Sequence, residues 1–252
     1  MTDDLTLVKR RLVELGKKSH GAGIFLFSDF LGLAEQSALA EVSRELIGIR
    51  YQSFGGAEGA ERVMVRFGDA DDVGYEVPFP IVTLKIAPKS LKFAERLTHR
   101  DFLGALMNLG IERDVLGDIA VCEECAYLFA KEEIAPYIMS ELTRVKRTDV
   151  VVTEVDEAPI EELYRTEVRK IQLSGERLDA VIAKTYNLSR EEAQRLFPKG
   201  LVYASGRCIE STSYVPKVGE KISVRGHGRL IYRGYESTSR KGKLNVTVEV
   251  YV

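Results

Sequence analysis

Only three cysteines and three histidines occur in the 252 residues, which leaves little for a disulfide framework or a soft-metal cluster. Cys122-Glu123-Glu124-Cys125 is a C-x-x-C pair, but zinc wants four soft ligands and no second pair or His cluster accompanies it. Cys208 stands alone, far down the chain. A thioredoxin-like pair would open a helix, whereas these two cysteines flank a turn between Val121 and Ala126. No metal and no cofactor are expected. No apolar run approaches the roughly 18 residues that span a bilayer. Met1 to His20 is basic but has no apolar run of signal-peptide length, so neither membrane insertion nor export is expected and the cytoplasm is the default compartment. Gly55, Gly56 and Gly59 lack a following Gly-Lys-Ser/Thr, so they read as a turn rather than a phosphate cradle. There is no serine nucleophile elbow, no internal repeat and no low-complexity tract.

The composition, 45% apolar and 29% charged, is that of an ordinary globular protein, and the net charge of −2 conceals a marked asymmetry. Residues 165–252 carry 17 Lys or Arg against 9 Asp or Glu, a balance of +8; residues 1–164 carry 19 against 29, a balance of −10. Such a division predicts that the C-terminal part meets a polyanion. An anionic membrane would call for an amphipathic helix with exposed large apolar residues, and none is evident.

Periodicity orders the chain. Leu5, Val8, Leu12 and Leu15 predict a helix over residues 2–18. Ser28 or Asp29 is placed to cap a second helix from Ala34 to Leu46. Ile47 to Phe54 and Val63 to Phe67 read as strands. Ile81–Ile86, a helix from Thr98 to Leu109, Gly117–Val121, Ala126–Ala130, a helix from Glu132 to Val145 and Val150–Val155 follow in βαββαβ order, that of a ferredoxin-like unit. Asp156 to Pro159 reads as a linker, with a basic domain starting near Tyr164. Strands are expected at Lys221–Arg225, Arg229–Tyr235 and Leu244–Val252, with a polar turn at Ser237–Gly242. The expected fold is α+β, divided as 1–77 (helical segment with a hairpin), 78–158 (ferredoxin-like) and 164–252 (a helix pair on a small antiparallel sheet).

The basic domain opens with two short helices. Leu178, Val181 and Ile182 recur at helical spacing, as do Ala193, Leu196 and Phe197. Ser189 and Glu192 form a capping-box pattern, and Gly200 stops the second helix. Arg177, Lys184, Arg190, Arg195, Lys199 and Arg207 are left on the outer faces. Neutralising phosphates with such a face releases counterions, and this carries affinity for nucleic acid.

Two catalytic readings fail on the residues. His99-Arg100-Asp101 has the order of a kinase catalytic loop, but Leu106 stands where a metal-binding Asn is needed. Thr98 as cap and Asp101 at the third helical position explain the stretch, leaving His99 and Arg100 as candidate partner contacts. Gly175-Glu176-Arg177-Leu178-Asp179 is close to the Gly-Arg-Leu-Asp of pseudouridine synthases. Glu176 interrupts it, however, and the residues that follow in this sequence are expected to form only the strands of the basic domain. Asp179 reads instead as an intradomain partner for a basic side chain.

The helix pair, Lys199-Gly200, the Ser205-Gly206-Arg207 turn and Pro216 to Glu220 resemble the RNA-binding domain named after small-subunit ribosomal protein S-four. With Leu97 to Leu106, Gly117-Asp118-Ile119 and Phe54-Gly55-Gly56, the chain resembles the bacterial YlmH family. The resemblance implies a non-catalytic protein that binds structured ribosomal RNA, with tRNA as a further candidate. It points to the large ribosomal subunit carrying stalled peptidyl-tRNA, in translation quality control. The expected RNA-binding residues are Arg177, Asp179, Lys184, Ser189, Arg190, Gln194, Lys199, Gly200, Ser205, Arg207 and Lys217. Two departures stand out: Pro198 in the helix's last turn, which would tilt Lys199, and Ser205 where this domain often has Asn. The alternatives are an RNA-modifying enzyme with an unrecognised site, and a cell-division-associated protein whose acidic N-terminal half meets a protein partner.

Overall fold

A computed structural model describes residues 2–159, 164–240 and 242–251. The expected roles of Lys241 in a turn and Val252 in the last strand lie outside the described residues. The chain divides into two compact units, Met1–Glu35 with Glu41–Leu163, and Gln36–Ala40 with Tyr164–Val252.

In the first unit, α1 (Thr2–Ala22) buries Leu12 and Val13. A three-stranded sheet in the order β1-β3-β2 is built from β1 (Leu26–Phe27), β2 (Tyr51–Phe54) and β3 (Met64–Phe67). The second helix, α2, whose residues Gln36–Ala40 count with the second unit, runs only Leu33–Glu41 and gives way to a 3-10 turn at Ser43–Leu46. Neither Ser28 nor Asp29 caps it. The Ser28 hydroxyl accepts from Val65 N–H and donates to the Asp29 carbonyl, while the Asp29 carboxylate pairs with Lys131 and Arg11. The chain therefore stays extended there because β3 supplies partners that a cap would otherwise use. A single turn, α3 (Ala70–Val73), is capped by Asp69.

The ferredoxin-like order holds from β4 (Ile81–Pro88) through α4 (His99–Asn108), β5 (Leu116–Val121), β6 (Ala126–Lys131), α5 (Ala135–Glu141) and β8 (Thr148–Val155). The sheet runs β5-β6-β4-β8, ending on the short edge strand β7 (Arg144–Val145), with every pairing antiparallel, and its four main strands take the 4-1-3-2 arrangement. Leu84, Ile86, Leu128 and Val150 pack against Phe102, Leu106 and Ile138 of the two helices. The helix expected to reach Val145 ends at Glu141. Arg144–Val145 instead form β7, which folds back on Thr148 and Asp149 through Lys146 at φ 52°. The β-branched Thr143 and Val145 suit this hairpin better than another helical turn.

The two glycine motifs serve packing. A side chain at Gly56, at φ 92°, would meet the Phe129 ring at 2.3 Å. One at Gly117 would meet the Phe30 ring and Phe129. Beside them the Asp118 carboxylate accepts from the backbone N–H of Glu61 and Arg62, and the Arg62 guanidinium donates to the carbonyls of Leu116, Phe30 and Arg113. The Cys122 N–H donates to the Cys125 carbonyl at 2.8 Å and closes the β5–β6 turn. Among the described residues no group of three or more His, Cys, Asp or Glu could hold a metal ion, and no helix is long and apolar enough to cross a membrane.

The second unit contains β9 (Thr166–Leu173), α6 (Leu178–Thr185), α7 (Arg190–Leu196), β10 (Val202–Ala204), β11 (Arg207–Cys208), β12 (Lys221–Val224), β13 (Gly228–Thr238) and β14 (Leu244–Tyr251). Its antiparallel sheet runs β11-β10-β12-β13-β14-β9. Leu178, Val181 and Ile182 of α6 and Ala193, Leu196 and Phe197 at α7 seal its inner face against Val202, Ile222, Leu230, Tyr232, Val246 and Val248. The edge strand β9, unexpected from the sequence, pairs with the last strand along its whole length.

Candidate nucleic-acid interface

Asp179 is the hub of the helix pair. It sits in the first turn of α6 and is fully buried. Its carboxylate accepts from Arg177 Nε and Nη2 at 3.2 and 3.1 Å, from Arg190 Nε at 3.3 Å and from Gln194 Nε2 at 2.7 Å. Burial alone would raise its pKa. The Gln194 amide and the Arg190 and Arg177 guanidiniums outweigh that and hold the carboxyl below its usual value. Arg177 also reaches the Thr212 hydroxyl, and the neighbouring Tyr214 carbonyl accepts from Leu178 N–H, which ties the 211–214 segment to the start of α6. A buried anion thus aligns two half-exposed arginines, with side-chain exposures of 41% and 52%, so that part of each guanidinium still faces solvent.

The other expected residues take three kinds of position. Ser189 is committed to its helix: its Oγ accepts from Glu192 N–H while the Glu192 carboxylate accepts from Ser189 N–H. Gly200, at φ 63°, turns the chain after α7, and Leu201 N–H reaches back to the Leu196 carbonyl. Lys184, Lys199, Arg207 and Lys217 are exposed and form no ion pair with described residues, whereas Arg195 pairs with Glu191 along the helix. The Lys217 backbone is fixed by Glu220, whose carboxylate accepts from Lys217 N–H and from the Tyr214 hydroxyl. Gln194, one of the expected RNA-binding residues, directs its amide N–H at Asp179. Pro198 does not lie in the last helical turn. The helix ends at Leu196, and Pro198 falls in the turn beyond, where no helical donor is lost.

Ser205 and Gly206 form the two central residues of the β10–β11 hairpin at φ 47° and 78°, a type I′ geometry. Serine tolerates the left-handed region poorly, whereas Asn adopts it readily. Ser205→Asn is expected to stabilise the fold by about 0.5–1 kcal/mol, read as a higher urea midpoint at unchanged slope. A lower midpoint would show that Ser205 is not strained.

At the other candidate contact, Thr98 N–H and its hydroxyl both donate to the Asp101 carboxylate at 2.8 Å, and Lys146 pairs with the same group. These bonds pull Asp101 down to about 2, with Lys146 first and Thr98 next. The His99 pKa is lowered by shielding from solvent and then by Arg113, against the pull of Asp118. Arg100 is exposed.

The second unit thus sets a helix pair with aligned arginines on an antiparallel sheet, an arrangement of the S-four type, and the first unit contains the ferredoxin-like order. Residues 76–159 match the family model described as "Putative RNA-binding domain in YlmH". Over 88% of its length the chain is 29% identical to "Ribosome-associated protein quality control protein P2" of Bacillus subtilis (strain 168), across 86% of that protein. Over residues 76–159 the chain is similar to the YlmH family. It is also 32% identical over 77 residues to "Uncharacterized RNA pseudouridine synthase" of Aquifex aeolicus (strain VF5), a stretch covering 27% of this chain and 32% of that one. The solved structure "Cell division protein ylmH from Streptococcus pneumoniae" is 24% identical with a TM-score of 0.47, covering 60% of this chain and 90% of that one. The family model puts RNA binding in the middle unit, where the sequence pointed only to His99 and Arg100.

Proposed function

We propose that this chain binds structured ribosomal RNA without catalysing a reaction on it, and serves ribosome-associated quality control at the large subunit carrying stalled peptidyl-tRNA. The observation that carries the reading is the buried Asp179 carboxylate, which holds Arg177 and Arg190 as one cationic surface. Arginines fixed in this way meet phosphates with less ordering cost than free surface chains. The name of the Bacillus subtilis relative supports the process, and the family model supports the ligand class. The boundaries at 77/78 and between 158 and 164 belong to the same proposal.

Asp179 is also the position nearest in pattern to a pseudouridine synthase nucleophile. A nucleophilic carboxylate has to reach the reacting base, and this one has no exposed surface and accepts from three side chains. Its role is to position the arginines.

Filter binding of the full chain to ribosomal RNA across a salt series tests the electrostatic basis. If the helix-pair surface makes about 5 phosphate contacts in a duplex-like site, it contributes about −4 to −5 to the slope of log K against log salt. A slope near zero would remove the account.

A further inference from the structure

Two of the chain's three cysteines face each other across the β5–β6 turn. The pairing of the two strands runs to Val121 opposite Ala126, and one step further the Cys122 N–H donates to the Cys125 carbonyl at 2.8 Å. Cys122 and Cys125 are therefore opposite positions of an antiparallel pair, which puts their side chains on the same side. The Cα atoms of such positions lie about 4.5–5.5 Å apart, inside the range of about 4.4–6.8 Å that a disulfide spans. Both are half-buried thiols in the structure.

Both thiols also line one cavity of about 840 Å³. Its charged lining, among the described residues, is Glu95, Arg96, Glu123 and Glu124, three acids against one base, and the wall is otherwise apolar apart from Thr98 and the cysteines. Glu123 and Glu124 form the exposed turn itself, so a reagent approaching the thiols from solvent passes them first. A Cys122–Cys125 bridge would close so short a loop that it removes little chain entropy and makes a poor staple. Exposed disulfides are also the readily reduced ones. The pair is suited to cycling between two states rather than to holding the fold.

From this arrangement we propose that Cys122 and Cys125 form a reversible thiol–disulfide exchange site whose oxidant is a small cationic disulfide. One thiolate attacks a sulfur of the reagent RS–SR, forming a mixed disulfide on the protein and releasing the first RS thiolate. The second protein thiolate attacks the protein sulfur of that mixed disulfide, closes the Cys122–Cys125 bond and releases the second RS thiolate. The two protein protons end on the two released thiols, so the reagent gains two electrons and the cysteine pair loses them. The carboxylates of Glu95, Glu123 and Glu124 attract a cationic reagent and repel an anionic one. The site stands independently of the RNA-binding reading.

The test treats the full, reduced chain with cystamine, which is cationic, or glutathione disulfide, which is anionic, then alkylates the remaining thiols and maps peptides by mass spectrometry. In wild type treated with cystamine, the tryptic peptide from Asp114 to Lys131 should have lost two hydrogens and carry neither an alkyl group nor a cysteamine adduct. Dithiothreitol should restore two alkylated cysteines. In Cys122→Ser the same peptide should instead keep a cysteamine adduct on Cys125, because no second thiol releases it. Cystamine should react at least about fivefold faster than glutathione disulfide, and Glu123→Gln with Glu124→Gln should cut that ratio at least about threefold. A wild-type pair that stays reduced in excess cystamine, or that keeps an adduct on each cysteine, overturns the site. A ratio that the two glutamines leave unchanged overturns the cationic preference.

Discussion

Replacing Asp179 by Ala is expected to destabilise the protein and weaken its RNA binding together. Breaking a buried ion pair costs about 3–5 kcal/mol when the remaining charge stays buried. Here the arginines are half exposed and can regain water, so about 1.5–3 kcal/mol is the better figure. The RNA loss has a different origin: Arg177 and Arg190 stay charged but no longer point together, and affinity should fall about tenfold. Asp179→Asn should keep the Gln194 contact in part while losing the attraction to both guanidiniums. It also supplies a pH signature. Because the folded carboxyl titrates below its ordinary value, its stabilisation is fully present above the unfolded pKa of about 3.9 and is lost as pH falls through the folded value. Urea midpoints of wild type should therefore separate from those of Asp179→Asn above about pH 5 and draw steadily closer to them as pH falls below the unfolded pKa. A constant gap across that range would mean that Asp179 contributes through shape alone.

Reversing Arg190 to Glu is expected to weaken RNA binding about tenfold to a hundredfold more than the same reversal at Arg10, the loss of one charge-assisted phosphate contact. Both changes shift net charge equally, so the difference must come from location. Arg190 donates to Asp179, and a carboxylate in its place faces another carboxylate, so circular dichroism has to establish folding first. Arg190→Ala, which adds no charge, should retain most of the affinity loss. Equal binding by the Arg190→Glu and Arg10→Glu variants would reduce the cationic face to a solvated surface.

The helix pair was legible because its signals are local. Ser189 and Glu192 satisfy each other within one turn, Gly200 supplies a positive φ, and the apolar stripes face one core. Asp179 was legible as a partner to basic side chains, but its convergence on Arg177, Arg190 and Gln194 depends on how the two helices pack. Strand β9 was missed for the opposite reason. Most of its side chains are exposed, so alternation is weak, and its partner β14 lies some 70 residues downstream. Strand β7 was read as the end of a helix because Lys146 carries no turn signature, although its backbone takes the left-handed region.

Sedimentation of the full chain with purified ribosomal subunits, before and after nuclease treatment, bears most directly on the central claim. RNA recognition through the Asp179-organised surface predicts that the protein travels with the large subunit, that nuclease releases it, and that Asp179→Ala shifts it to the free fraction. Association that survives complete digestion of the RNA, or wild-type protein that stays free at low salt, would contradict it.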